Sequence, residues 1–202
     1  MSDYLKTYKE NGIYNKLHYG APYVSKGVKF ARYLTYQFKK GSKILCVGCG
    51  NGWEVVALLK AGFDAYGTEV HEIDVPILKN RIINAIAPDL PFKDDEFDLM
   101  MCCEVLEHVP EDKTDDIIND CARVGKKSFF SIATKPDPPW NTHINLHKPQ
   151  WWLDKFFELK LKIHNFQFKP MLDLTVDHGE GTISLKRLNY SQGMYFYVSK
   201  GI

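Results

Sequence analysis

The sequence predicts an α/β fold: a mostly parallel sheet with helices on both faces. Residues 43–52, Lys-Ile-Leu-Cys-Val-Gly-Cys-Gly-Asn-Gly, run from a β-rich stretch into three glycines, Gly48, Gly50 and Gly52. Apolar residues at helical spacing follow at once: Trp53, Val55, Val56, Leu58 and Leu59. Strand, glycine turn, helix is how a doubly wound sheet brings its backbone close to a ligand at a helix N-terminus. Residues 97–103 form a nearly continuous apolar run, as expected of a central parallel strand buried on both faces. Around these two landmarks, strand and helix patterns alternate along the chain.

Taken in order, residues 1–40 are rich in Tyr and Lys, and the spacing of Val28, Ala31, Leu34 and Phe38 predicts a helix over 27–39. The part before it is expected to lean over the ligand as a lid. Strands are predicted at 43–49 and 64–69, with a helix over 52–61 between them. A helix around 75–84 is expected to start near Pro76, a residue tolerated in a first helical turn. The third strand is poorly marked, and Ile86-Ala87 is the only candidate for it. The run at 97–103 is the fourth strand, 113–123 a helix with Ile117, Ile118 and Ala122 on its inner face, and 127–133 the fifth strand. A helix begins near Pro149, where Trp152, Leu153, Phe156 and Phe157 give a wide apolar face. Residues 160–169 and 193–199 read as late strands, with an added hairpin over 171–192 turning at Asp177–Gly181.

Length and composition agree with this class. A chain of 202 residues fits a single domain, 1–202, with enough length to bury a core. A net charge of +1 argues against a broad phosphate-binding surface, so nucleic acid is not the expected partner. The most apolar stretch is far too short to cross a bilayer, and no apolar run follows a basic N-terminus, so neither a membrane segment nor a signal peptide is expected. Five cysteines, three of them inside predicted strands, suit a reduced, cytoplasmic protein better than a disulfide scaffold.

The glycine spacing is G-x-G-x-G rather than the G-x-G-x-x-G of the dinucleotide fold. Glu69 ends the second strand some 20 residues later, where a carboxylate can accept hydrogen bonds from both hydroxyls of a ribose. Then come Leu90-Pro91-Phe92 with Phe97-Asp98, and Glu104-Val105-Leu106-Glu107-His108-Val109. This combination resembles the class I S-adenosylmethionine (SAM)-dependent methyltransferases, in particular the small-molecule, type 11-like group. The resemblance covers about residues 40–135. It implies a Rossmann-like sheet of seven strands with the last one antiparallel, SAM as cofactor, S-adenosylhomocysteine as product, and methyl transfer to an O or N atom of a small molecule. Rival readings are a protein or tRNA methyltransferase and a non-catalytic subunit that keeps the fold.

On this resemblance Gly48, Cys49, Gly50 and Gly52 approach the amino-acid end of SAM, Glu69 and Val70 hold the ribose, and Ala87 and Leu90 flank the adenine. Asn51 stands where the family often has Thr, and Ile86 where it usually has an acidic residue. Cys103 and Glu104 end the fourth strand, beside the methionine part and the acceptor; Glu104 is placed to orient or deprotonate the acceptor. His108 is a general-base candidate by residue type, although a loop-ordering role for it is the stronger reading. The loop Thr134–His147 is Pro-rich, aromatic and placed at a strand C-terminus, so it is expected to carry specificity. His143 is the expected acceptor contact, with Trp140 and Asn145 nearby; capping of the loop is the competing role. Tyr14 and Tyr19 are expected to reach SAM from the lid, with His18 and Tyr23 beside them and cation–π attraction for the sulfonium. Metal binding is not expected: Cys46, Cys49, Cys102 and Cys103 do not converge from strand positions, and a solvated turn accounts for Asp173, Asp177, His178 and Glu180. The assembly is expected to be a monomer or a homodimer.

Overall fold

A computed structural model describes residue 34, residues 36–71, 78–138, 141–164 and 193–201, and the backbone of 171–178 and 181–188. Nine strands and three helices are defined among them: β1 Lys43–Val47, α1 Trp53–Ala61, β2 Asp64–Glu69, β3 Ile82–Asn84, β4 Leu99–Cys103, α2 Thr114–Val124, β5 Ser128–Ala133, α3 Pro149–Glu158, β6 Leu161–Ile163, β7 Met171–His178, β8 Gly181–Leu188 and β9 Gly193–Lys200.

Seven strands form one sheet in the order β3-β2-β1-β4-β5-β9-β6. The first five are mutually parallel, and β9 runs antiparallel to both β5 and β6. This is the sheet the sequence leads one to expect. The chain reverses its direction of winding between β1 and β4, so the crevice beyond their C-terminal ends is where a ligand would sit. β7 and β8 pair separately as the expected hairpin.

The period of two along each strand divides the core. Leu45, Val47, Met100, Cys102 and Phe130 face a layer with Ile117, Ile118 and Cys121 of α2 and Trp152, Leu153 and Phe156 of α3. Ile44, Cys46, Leu99, Met101 and Phe129 face the other way, onto Leu34 and onto Val55, Val56 and Leu58 of α1. β1, β4 and β5 are therefore covered on both sides, and this is why Ile44–Val47 and Leu99–Cys103 are unbroken apolar runs and why β5 buries even Ser128 and Ser131. α1 ends at Gly62, whose φ of +93° lets its N–H bond back to the last helical carbonyls.

Three expectations fail in detail. The third strand is Ile82–Asn84, not Ile86-Ala87, and it occupies the second half of the helix expected at 75–84; residues 72–77 lie outside the described residues. Ile82 and Ile83 are β-branched, and their register beside Gly67–Glu69 offers a backbone ladder that local helical spacing does not reveal. The helix expected over 27–39 does not reach Lys39, because residues 36–41 form turns that lead into β1. The strand expected at 160–169 is three residues long where it is described, Leu161–Ile163.

Candidate active site

The glycine turn leaves β1 with Gly48 at φ +66°, Gly50 at +55° and Gly52 at +77°, in the left-handed region that L side chains rarely occupy. At Gly48 space as well as φ demands glycine: a Cβ there would lie 2.6 Å from Val105 Cγ2. The turn is thus packed directly onto the segment after β4. Gly52 hands the chain to α1, whose first N–H groups have no partner within the helix and stand at the crevice. Cys49 contributes its backbone, with its N–H bonded to the Thr68 carbonyl at 3.0 Å, while its thiol is buried over Gly67.

Glu69 is buried, 2% exposed, at the end of β2. Its Oε2 accepts the Gly50 N–H at 2.9 Å and its Oε1 accepts the Val70 N–H at 2.8 Å. The carboxylate therefore braces the glycine turn from the neighbouring strand.

Ala87 and Leu90 are both buried, in the loop beyond β3. What holds that loop is Arg123 at the end of α2, which the sequence reading missed. Its guanidinium donates to the Leu90 carbonyl (3.0 Å), the Phe92 carbonyl (2.7 Å), Asp120 and Asp94. Asp120 in turn accepts the Leu90 N–H at 2.8 Å. The Asp120/Arg123 pair at i, i+3 near a helix C-terminus was the available signal.

Beyond β4 the chain bends sharply at Glu104, φ +57°. The Glu104 N–H bonds to the Ser131 carbonyl at 2.8 Å, and the Ser131 hydroxyl donates to the Glu104 carboxylate. Cys103 is half-buried beside it, its thiol pushed up by burial. Glu107 is fully buried: one oxygen accepts the Ala133 N–H at 3.1 Å, and its backbone carbonyl accepts the N–H groups of Ile144 and Asn145. Burial, then the neighbouring Glu104 charge, push the Glu107 carboxyl well above the usual carboxylate range.

The loop after β5 closes over this turn. Asp137 accepts the N–H groups of Thr142 (2.8 Å) and His143 (3.1 Å) and the Thr142 hydroxyl, which fixes the course of the chain into His143. His143 Nδ1 donates to the Lys135 carbonyl at 2.6 Å, and His108 Nδ1 donates to the Thr142 carbonyl at 3.1 Å. The two rings meet edge to face, 4.8 Å between centroids. Burial lowers the His108 pKa to about 4, with the adjacent His143 acting in the same direction. His108 therefore orders the loop and, at neutral pH, also carries a lone pair.

Of the three expected catalytic residues, His108 and His143 are in contact, and Glu104 lies in the same turn as His108. Asn145, expected near His143, ties the loop down. It is 2% exposed, and its amide donates to the Leu106 carbonyl and to Thr114 Oγ1, a structural tie between the loop and α2. Asp137, the organiser of the loop, was missed; an Asp five residues before Thr142 is a weak signal on its own. Tyr14, His18, Tyr19, Tyr23 and Trp140 lie outside the described residues.

Residues 45–129 match the family model described as methyltransferase domain. This core is similar to a methyltransferase domain. The match runs from β1 into β5 and includes the glycine turn, Glu69, the Ala87–Leu90 loop and the Glu104–His108 turn; His143 lies beyond it. A ubiquinone biosynthesis O-methyltransferase of Coxiella burnetii is 35% identical over 108 residues, which is 48% of this chain and 45% of that protein. The chain thus spans about half the length of the curated relatives it matches. Among solved structures, the Burkholderia thailandensis 1,6-didemethyltoxoflavin N1-methyltransferase with bound S-adenosylhomocysteine is 12% identical, with a TM-score of 0.64 covering 99% of this chain and 86% of that one. The magnesium protoporphyrin IX methyltransferase of Synechocystis PCC 6803, with bound SAM, is 16% identical, with a TM-score of 0.62 covering 89% and 80%. At such identities these two show the fold alone. No helix among the described residues is long and apolar enough to cross a membrane.

Proposed function

We propose that this chain transfers the methyl group of SAM to an oxygen or nitrogen of a small-molecule acceptor, with oxygen preferred. The observation that carries the reading is the glycine turn braced by Glu69: a backbone cradle with no room for a side chain at Gly48, next to a buried carboxylate at the end of β2. This donor set suits a ligand with an ammonium–carboxylate end and a ribose diol. The preference for oxygen follows these relatives, which are ubiquinone biosynthesis O-methyltransferases.

SAM supplies a methyl group already attached to a good leaving group. The protein's task is then to hold and to exclude water. Glu69 and the Val70 backbone would hold the ribose. Gly48–Gly52 would receive the amino-acid end, and Ala87 and Leu90 would flank the adenine in a loop that Arg123 keeps in place. Glu104, His108 and His143 would face the acceptor at the C-terminal ends of β4 and β5, where Glu104 or His108 can take up the acceptor's proton. Tyr14 and Tyr19 are proposed to close the site from the N-terminal segment.

The test is calorimetric titration with SAM and S-adenosylhomocysteine, followed by a screen of hydroxylated and amine-bearing small molecules for release of S-adenosylhomocysteine. Micromolar binding of both ligands, and turnover with a hydroxylated acceptor, are expected. Folded protein that binds neither ligand overturns the reading.

A further inference from the structure

The glycine turn after β1 carries one asparagine, Asn51, directly before its last glycine, Gly52. An asparagine followed by glycine is prone to attack on its side-chain amide by the next backbone nitrogen, because glycine has no Cβ to shield that nitrogen. We infer that Asn51 is a site of spontaneous covalent modification, in which loss of the side-chain amide leaves aspartate or isoaspartate in the turn and weakens the cradle's hold on its ligand. The effect on the ligand rests on the proposed SAM reading; the modification itself does not.

The local structure exposes the reacting groups. Asn51 is half-buried, so solvent reaches it. Among the described residues, its carboxamide makes no hydrogen bond that would hold it away from the backbone. The attacking group, the Gly52 N–H, is held by a bond to the Cys49 carbonyl at 2.9 Å. Gly52 cannot be exchanged for a shielding residue: its φ is +77°, and a Cβ there would run into the Leu78 side chain. The geometry that demands glycine at 52 therefore keeps the amide at 51 open to attack.

The reaction needs only water. As the bond to Cys49 opens, the Gly52 nitrogen gives its proton to solvent and attacks Asn51 Cγ. A bond forms between that nitrogen and Cγ, the Cγ–Nδ2 bond breaks, and the amide nitrogen takes a proton from solvent and leaves as ammonia. Water then opens the five-membered imide at either carbonyl. One opening gives aspartate; the other gives isoaspartate, with the backbone routed through the side chain. One water is consumed, one ammonia is released, and the chain gains one negative charge at neutral pH.

Both products act against the cradle. Position 51 lies just before α1, whose first N–H groups have no partner within the helix. A fixed carboxylate there competes with the carboxylate end of SAM for the same helix terminus. Isoaspartate also lengthens the backbone of the turn, which disturbs the bonds from Gly50 to Glu69 and from Gly52 to Cys49. Bound cofactor acts against the reaction in turn. It binds the closed turn, whereas the attack needs the Gly52 N–H free, so occupancy lowers the reactive fraction by mass action. A chain in use is protected, and an idle chain is retired.

The experiment incubates the full chain in mildly alkaline buffer with and without S-adenosylhomocysteine. The tryptic peptide Ile44–Lys60 is followed by mass and by labelling with an isoaspartate-specific methyltransferase; the other Asn-Gly pair, Asn11-Gly12, falls in a different peptide. The urea-unfolded chain supplies the unhindered rate. The Asn51 peptide is expected to gain the mass of OH over NH₂ and the isoaspartate label, about tenfold more slowly at a ligand concentration ten times Kd. The modified chain, separated by its added charge, should bind S-adenosylhomocysteine at least about tenfold more weakly than fresh chain, and Asn51→Asp should do the same. Asn51→Gln, which would have to close a six-membered ring, should keep its mass. Circular dichroism checks that each form is folded. The inference is overturned if the Asn51 amide survives in the folded chain while the unfolded chain is fully converted. It is equally overturned if saturating ligand leaves the rate unchanged, or if the modified chain and Asn51→Asp bind as tightly as fresh chain. Fresh chain that binds no S-adenosylhomocysteine overturns the proposed cofactor instead, and the mass readout still decides the modification.

Discussion

Replacing Glu69 by Ala perturbs the point where the sheet and the glycine turn meet. The native carboxylate is 2% exposed and accepts backbone N–H groups from Gly50 at 2.9 Å and Val70 at 2.8 Å. Hydrogen bonds to a charged group contribute about 1.5–3 kcal/mol each. Water entering the space left by the side chain re-solvates part of what is lost, so the expected destabilisation is about 2–4 kcal/mol. For a chain of this size that lowers the melting temperature by roughly 5–15 °C. Glu69→Gln is the sharper probe. It keeps the shape and one acceptor oxygen, but turns an NH₂ group towards an N–H, so one of the two braces must fail, with a cost of about 1–3 kcal/mol. Both variants should bind S-adenosylhomocysteine about 10- to 100-fold more weakly, equivalent to about 1.4–2.8 kcal/mol. Thermal and urea denaturation measure the first effect, and calorimetry at a temperature where all three proteins are folded measures the second. If Glu69→Ala matches the native chain in both stability and affinity, the role assigned to this carboxylate is wrong.

Gly48→Ala sets a methyl group 2.6 Å from Val105 Cγ2 at φ +66°, so it should cost more than the ordinary glycine-to-alanine change, about 2 kcal/mol or more in urea denaturation, and weaken cofactor binding. Arg123→Ala frees the Leu90 and Phe92 carbonyls and removes the cation paired with Asp120, which keeps only the Leu90 N–H. A loss of about 1–3 kcal/mol is expected, together with faster amide exchange in the 89–95 loop. His108 makes acid stability measurable: its pKa is 6.5 when unfolded and about 4 in the native chain. Above pH 6.5 both states are neutral and nothing is lost. As pH falls from 6.5 towards 4 the unfolded chain takes up a proton that the folded chain does not, which removes up to about 3 kcal/mol. His108→Asn should therefore lose less stability than the native chain over that interval; identical pH profiles would contradict the burial argument.

Much of the fold and half of the site were legible because they depend on local rules. Three glycines after a β-rich run require a backbone of unusual φ, and the structure places all three in the left-handed region. The apolar run at 99–103 announces a strand covered on both faces, and Glu69 sits at the strand end where residue counting put it. The third strand was not legible: Ile82–Asn84 is stabilised by hydrogen bonds to β2, and a sequence window contains no partner strand. Arg123 and Asp137 were missed for a related reason. An arginine at the end of a helix and an aspartate in a proline-rich loop have common solvent-exposed roles, and only the positions of the Leu90, Phe92, Thr142 and His143 backbone groups reveal what they hold.

By itself, then, the sequence determined the alternation of strands and helices, the glycine cradle and the carboxylate beside it, because periodicity, glycine φ preference and chain length act over a few residues. Only the tertiary structure decided that Glu107, His108 and His143 share one point and that Asn145 does not. Those residues come from two crossings of the sheet 35 positions apart. Their approach is set by the parallel pairing of β4 with β5 and by the backbone bonds from Ile144 and Asn145 to the Glu107 carbonyl, long-range contacts that no local pattern encodes.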